Sequence, residues 1–136
     1  MSNNIIQIAV IDDNAQLRDL TVQQFSNSEF EVLFQADNEQ QAIGKIESYG
    51  LPDVCIVEEN LASAKLLLER YPDLKVLVSS TEDDKQSVAD MLDVGVSGYV
   101  LKFADPDELV TAAKALAADK KYFSVGIAAI ATEYFQ

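Results

Sequence analysis

The sequence predicts an α/β domain: a parallel sheet with helices covering both faces. Three observations lead there. The chain has 136 residues, the length of one domain with one core. Runs of mostly apolar residues recur along it, each short enough to be a strand. A segment of helical period follows each run. Apolar strands alternating with helices build βαβ units, whose strands are buried on both faces. Five such units make a doubly wound domain, and in that architecture ligands bind outside the C-terminal ends of the strands.

IIQIAVI (5–11) is the first strand, and a helix follows from Ala15 to Phe25. FEVLFQA (30–36) is the second strand. Asn38 caps the next helix, with Gln41 three residues on, and Gly50 ends it. DVCIV (53–57) is the third strand, followed by a short helix from Leu61 to Arg70. LKVLVSS (74–80) is the fourth strand, and its helix runs from Asp83 to Asp93, stopped by Gly95. SGYVLK (97–102) is the fifth strand. The fifth helix is the clearest: Asp105 caps it, Pro106 takes the first turn and Glu108 sits three residues after the cap. Leu109, Ala112, Ala113 and Leu116 then form one apolar face. A last helix starts at Ser124 and carries Ile127, Ile130, Ala131 and Tyr134. Residues 1–123 read as the domain, and 124–136 as a C-terminal helix or the start of a linker.

Composition narrows the function. Ten basic residues against 23 acidic ones leave a net charge of −13, which repels a phosphate backbone and an anionic membrane alike. The apolar runs are far shorter than the 18 or so residues of a membrane span, and the N-terminus lacks the basic region of a signal peptide. With no His, the commonest catalytic base is missing. The single Cys, Cys55, lies mid-strand and reads as a reduced core residue, in keeping with a cytoplasmic protein.

The polar residues collect at strand ends. The first strand ends in Asp12 and Asp13, the third in Glu58 and Glu59, the fourth in Ser79, Ser80 and Thr81, the fifth in Lys102. Taken singly, each is a loop residue or a helix cap. Together, on one edge of one sheet, they are a site. Carboxylates without His make a hard oxygen site of the kind that suits Mg²⁺. A hydroxyl and a lysine beside them would bind phosphoryl oxygens.

At these residues the sequence resembles the receiver domains of two-component response regulators, over about residues 5–123. The stretches that carry the resemblance are "IAVIDD", "PDVCIVE", "LKVLVSST" and "GVSGYVLKFADPDEL". With "KKYFS" at 120–124, the chain is most similar to receivers that precede a helix-turn-helix output domain. The resemblance implies a flavodoxin-like sheet of order 2-1-3-4-5. It places Asp12 and Asp13 at the Mg²⁺-holding acidic pair. Ser80 falls at the hydroxyl switch position, Tyr99 at the aromatic switch position, Lys102 at the family's lysine position and Glu58 at the phosphoacceptor. It also implies a protein partner: a histidine kinase, an output domain or a second copy, met through the face of helix 4, strand 5 and helix 5.

Two features depart from the family. Receivers attack a phosphodonor with an aspartyl carboxylate while Mg²⁺ neutralises charge. Glu58 is one methylene longer, which moves its oxygens by about 1 Å or more, and misplacement on that scale costs about 10²-fold in rate. The stretch after it is also shortened. Glu58-Glu59-Asn60 runs straight into a helix, with roughly half a dozen residues fewer than the family's loop. That loop supplies a backbone metal ligand two residues after the acceptor, a place Asn60 now holds. The expected metal set is therefore Asp12, Asp13, Glu58 and Asn60, binding Mg²⁺ weakly.

The reading is a pseudo-receiver, a regulatory binding module and not an enzyme, working without ordinary Asp phosphorylation. Two alternatives stay open: a receiver that still accepts phosphate, and a small Mg²⁺-dependent phosphatase-like enzyme. Tyr99 and Phe103 flank Lys102 and read as a contact surface. These residues should not bind nucleic acid or membrane themselves. In the resembling subgroup, a linker to a DNA-binding domain would begin where this sequence stops.

Overall fold

The computed structural model of the chain describes residues 5–58, 60–102 and 105–136. Along the sequence lie β1 (Ile6–Ile11), α1 (Ala15–Gln24), β2 (Phe30–Ala36), α2 (Glu39–Tyr49), β3 (Val54–Glu58) and α3 (Leu61–Arg70). Then come β4 (Val76–Ser80), α4 (Lys85–Val94), β5 (Gly98–Leu101), α5 (Pro106–Ala117), β6 (Tyr122–Phe123) and α6 (Val125–Tyr134). All neighbouring strands run parallel, in the order β2-β1-β3-β4-β5-β6. The expected order therefore holds, with one strand more. β6 has only two residues, too short for any periodicity to announce it, and it pairs Tyr122 with Gly98 and Phe123 with Tyr99.

The two-residue period of a strand sorts the core onto the two faces of the sheet. In β1, Ile8 and Val10 face one side, with Val54, Ile56, Leu77, Val100 and the α5 residues Leu109, Ala112, Ala113 and Leu116. Ala9 and Ile11 face the other, with Cys55, Val57, Val76, Val78 and Tyr99, under α2, α3, α4 and α6. The apolar face read from α5 is thus the face it buries. Each leucine side chain taken from water there contributes about 1.5–3 kcal/mol. Cys55 is fully buried, and burial pushes its thiol up to about 12.

Caps set the helix starts. Asn14, Asn38, Asn60 and Asp84 each accept an N–H from the first turn of α1, α2, α3 and α4. Asp84 as cap explains why α4 starts at Lys85 and not at Asp83. Gly95 closes α4 at φ 101°, the left-handed conformation that a glycine adopts without strain. α1 differs from the others: none of its residues is buried. Its anchor is the next residue, Phe25, 1% exposed and edge-on to Phe30 with ring centres 4.9 Å apart.

The C-terminal end covers part of the face expected to meet a partner. β6 pairs the outer edge of β5, and α6 packs across α4. On its α4 and β5 side, the α4–β5–α5 surface is therefore overlain by α6 in this structure. Tyr99, expected at that surface, is fully buried beneath it. Phe103, the other aromatic of the expected contact, lies outside the described residues.

Candidate functional site

β1 and β3 are neighbours in register, Ile11 opposite Val57, so the residues that follow them meet at the C-terminal edge. Oxygens of Asp12, Asp13 and Glu58 come within 4.8 Å of one another. Asp12 is 7% exposed; its Oδ1 accepts the Asn14 N–H at 2.9 Å, which ties it to the start of α1. Lys102, just beyond β5, places Nζ 3.5 Å from Glu58 Oε1. Lys102 N–H in turn donates to the Ser80 carbonyl at 2.8 Å, which holds this end of β5 to β4. The expected convergence of acid pair, glutamate and lysine is thus present.

The carboxylates compete for charge. Glu58 titrates above the usual carboxylate range, first because it is partly buried. The Asp12 carboxylate adds to this by hydrogen bonding and like charge, and Asp13 by like charge, while Lys102 pulls the other way. A divalent cation would relieve that crowding, and all-oxygen donors suit Mg²⁺.

The remaining expected residues fall differently. Asn60, expected to offer its backbone to a metal, lines the same hollow, and its side-chain oxygen accepts Ser63 N–H at 3.1 Å as the cap of α3. The shortened connection thus turns this amide toward the helix. Glu59 lies outside the described residues. Ser80 is fully buried, and its Oγ accepts Glu82 N–H at 2.9 Å. The hydroxyl residue that lines the cleft beside Glu58 is Ser79, paired in register with it. The Tyr99 hydroxyl donates to the Glu82 carbonyl at 2.6 Å. Ser80 and Tyr99 therefore grip the same residue, from β4 and β5.

Three participants escaped the sequence reading. Arg18 in α1 donates to the Asp12 carbonyl at 2.7 Å and to Asp37 Oδ1 at 2.5 Å, bringing a cation to the rim of the acidic hollow. Glu82 is the shared partner of the two residues expected at the switch positions. Glu108 accepts from Ser124 Oγ at 2.7 Å and from the Tyr122 hydroxyl at 3.1 Å. Sequence reading assigned Glu108 only to the first turn of α5. Helical period could have placed Arg18 one turn after the Asn14 cap, but nothing in sequence ties it to Asp37.

Two hollows border Glu58. One, about 200 Å³, holds Asp12, Asp13, Asp37, Glu39, Asn60 and Ser63. The other, about 220 Å³, runs between α1 and α5 with Leu17, Leu20 and Leu109 along its wall and Lys102 and Glu108 at its polar end.

Residues 8–114 match the response regulator receiver domain family. This chain belongs to that family.

Relatives agree with the assignment. The receiver is 36% identical over 129 residues to the transcriptional regulatory protein DegU of Brevibacillus brevis, an alignment covering 90% of this chain and 54% of that one. It is 30% identical over 115 residues to the transcriptional regulatory protein LnrK of Bacillus subtilis, covering 79% and 52%. The chain thus spans about half the length of the relatives it matches. In fold it is similar to a LuxR-family response regulator from Aurantimonas sp. SI85-9A1, with a TM-score of 0.85 at 22% identity over 96% of this chain and 99% of that one. The receiver of RcsB from Salmonella enterica, in the presence of the phosphomimetic BeF₃⁻, gives a TM-score of 0.83 at 18% identity, covering 93% and 99%. Among the described residues, no helix of the receiver is long and apolar enough to cross a membrane.

Proposed function

We propose that this receiver is a pseudo-receiver: a module that regulates a partner or output domain by protein contact, with Glu58 as a fixed charge where the family carries its phosphoacceptor. The observation that carries this reading is the Glu58–Lys102 pair at 3.5 Å. The lysine that would grip a phosphoryl oxygen already meets a carboxylate. Two further features support it. The β3–α3 connection is reduced to Glu59 and Asn60, and the Asn60 side chain serves the helix. Tyr99 is turned fully inward and bonded to Glu82. A carboxylate has less charge and fewer acceptor oxygens than an acyl phosphate, so the imitation is partial.

In this reading Asp12, Asp13, Glu58 and Asn60 hold Mg²⁺ weakly, and Ser80, Tyr99 and Lys102 are the switch positions. Residues 1–123 form the receiver unit and 124–136 an appended helix. The partner is a histidine kinase, an output domain or a second copy. A second reading, a receiver that still accepts phosphate, is favoured by one observation: the Glu58 side chain is 34% exposed and borders both hollows.

Incubation with acetyl phosphate and Mg²⁺, followed by intact-mass measurement, separates the two. The pseudo-receiver gains no stable adduct, whereas an adduct of about 80 Da mapped to Glu58 makes it an acceptor after all. Glu58→Asp restores the family's acceptor length. It recovers the adduct only if the shortened connection still admits metal and donor.

A further inference from the structure

The cleft between α1 and α5 has an apolar floor and a wall that is not fully used. Val10, Ile56 and Val100 of the sheet form the floor, and Leu109 of α5 stands beside them, all buried. The other wall is α1, which is held near its ends. Arg18 donates to the Asp12 carbonyl from the first turn, and Phe25 anchors the chain just after the last. Between these points Leu17 and Leu20 line the cleft and remain 41% and 55% exposed. The helix therefore keeps apolar surface in water along the cleft, surface that a ligand could cover. The volume is about 220 Å³. A dry apolar cavity of about 150 Å³ holds one benzene ring, so this cleft has room for a ring and a short arm.

The bonds at the polar end sort its charges. Glu108 is engaged by the hydroxyls of Tyr122 and Ser124, and Asp105 by the Asp107 N–H. Arg18 spends its charge on Asp37. Glu58 and Asp12 are different: they crowd each other inside the recess, where Asp12 is buried. The cation beside them, Lys102, stands 3.5 Å from Glu58, longer than the roughly 2.7–3.2 Å of a good N–H···O bond. Two carboxylates thus share one loosely placed ammonium at the end of an apolar cleft.

We propose that this cleft binds a small amphipathic amine: a single ring or branched chain lying against Leu17, Leu20 and Leu109, with its ammonium on Glu58 and Asp12. The ammonium brings the second positive charge that the pair lacks, and up to three N–H donors. A hydroxyl in its place would bond without bringing charge. A carboxylate would meet Lys102 but be repelled by both acids. The bound ammonium takes Glu58 over from Lys102, so occupancy is felt at the end of β5 with no phosphoryl group involved.

This inference rests on the reading of Glu58 as a fixed charge, yet its test uses no phosphodonor, so the two can fail separately. The probes are 2-phenylethylamine, protonated at pH 7, and two molecules of similar body, 2-phenylethanol and 3-phenylpropanoate. Each is titrated to millimolar concentration into the full chain in metal-free buffer and followed by amide chemical shifts. The amine should move the amides of Val10, Ile56, Val100 and Leu109. It should bind at least about tenfold more tightly than the alcohol, with the propanoate weakest. Glu58→Gln should remove that advantage and bring the amine to within about twofold of the alcohol. Leu20→Ser, at an exposed position, should weaken amine and alcohol alike. No shift of those amides with any probe overturns the site. Equal binding of amine and alcohol to the unmutated chain, or tightest binding of the propanoate, overturns the amine as ligand. An advantage that survives Glu58→Gln overturns the assignment of the head to that carboxylate, and an unchanged affinity in Leu20→Ser overturns the α1 wall.

Discussion

Glu58 is where charge and position meet most tightly. Its carboxyl holds a proton more firmly in the fold than in the unfolded chain, because burial and the Asp12 and Asp13 carboxylates oppose its charge more than Lys102 supports it. The consequence for stability follows from linkage: the fold loses stability as pH rises from the ordinary 4.5 through the raised value, and the loss is complete above it. Glu58→Gln should therefore raise the melting temperature at pH 7 in metal-free buffer. The gain should shrink as pH falls below the ordinary value, where the glutamate is already neutral. Millimolar Mg²⁺ should shrink it too, by stabilising the charged form. Differential scanning calorimetry across pH, with and without Mg²⁺, reads all three. A variant less stable at pH 7 would mean that the Lys102 pair outweighs the crowding. The identity of this cluster was legible in sequence, since strand ends in a parallel sheet are fixed by topology alone. The direction of each side chain was not. Ser79 against Ser80, and the Asn60 amide against its carbonyl, depend on strand pleat and cap geometry, which no spacing encodes.

At the scale of elements, legibility followed length. The five long strands and the apolar stripe of α5 repeat their period often enough to be read. β6 does not, and so the closure of the β5 edge went unseen. Gly98 is the position on which that closure turns. An added Cβ would stand 2.8 Å from Leu77 Cδ1, 3.0 Å from Leu116 Cδ1 and 3.0 Å from the Tyr122 carbonyl oxygen. Side chains can give way, but the backbone oxygen of β6 can do so only by moving the strand. Gly98→Ala should cost about 1–3 kcal/mol in urea denaturation. It should also loosen α6, whose root follows β6 directly, so that hydrogen exchange of residues 122–134 rises more than that of β1. An exchange increase spread evenly over the sheet would mean that the strain is absorbed by Leu77 and Leu116 instead.

For the whole molecule, the sheet separates two unlike sides. On one, α2, α3, α4 and α6 bury residues against the sheet. On the other, α5 carries the packing and α1 rests on its surface, with the cleft between them opening onto Glu58. Both sides reach the central strands, and there Cys55 sits, paired in register with Ala9 and Val76. Its position makes it a clock. A thiol held near 12 is almost never a thiolate, and a fully buried one meets no reagent while the strands stay together. As the only cysteine of the chain, it lets each labelling event be assigned without mapping. Under native conditions the rate of reaction with a small disulfide reagent should therefore count the moments when β1, β3 and β4 part, and should track global stability as urea is added. If α6 peels away by itself, its amides will exchange many times for every tick at residue 55.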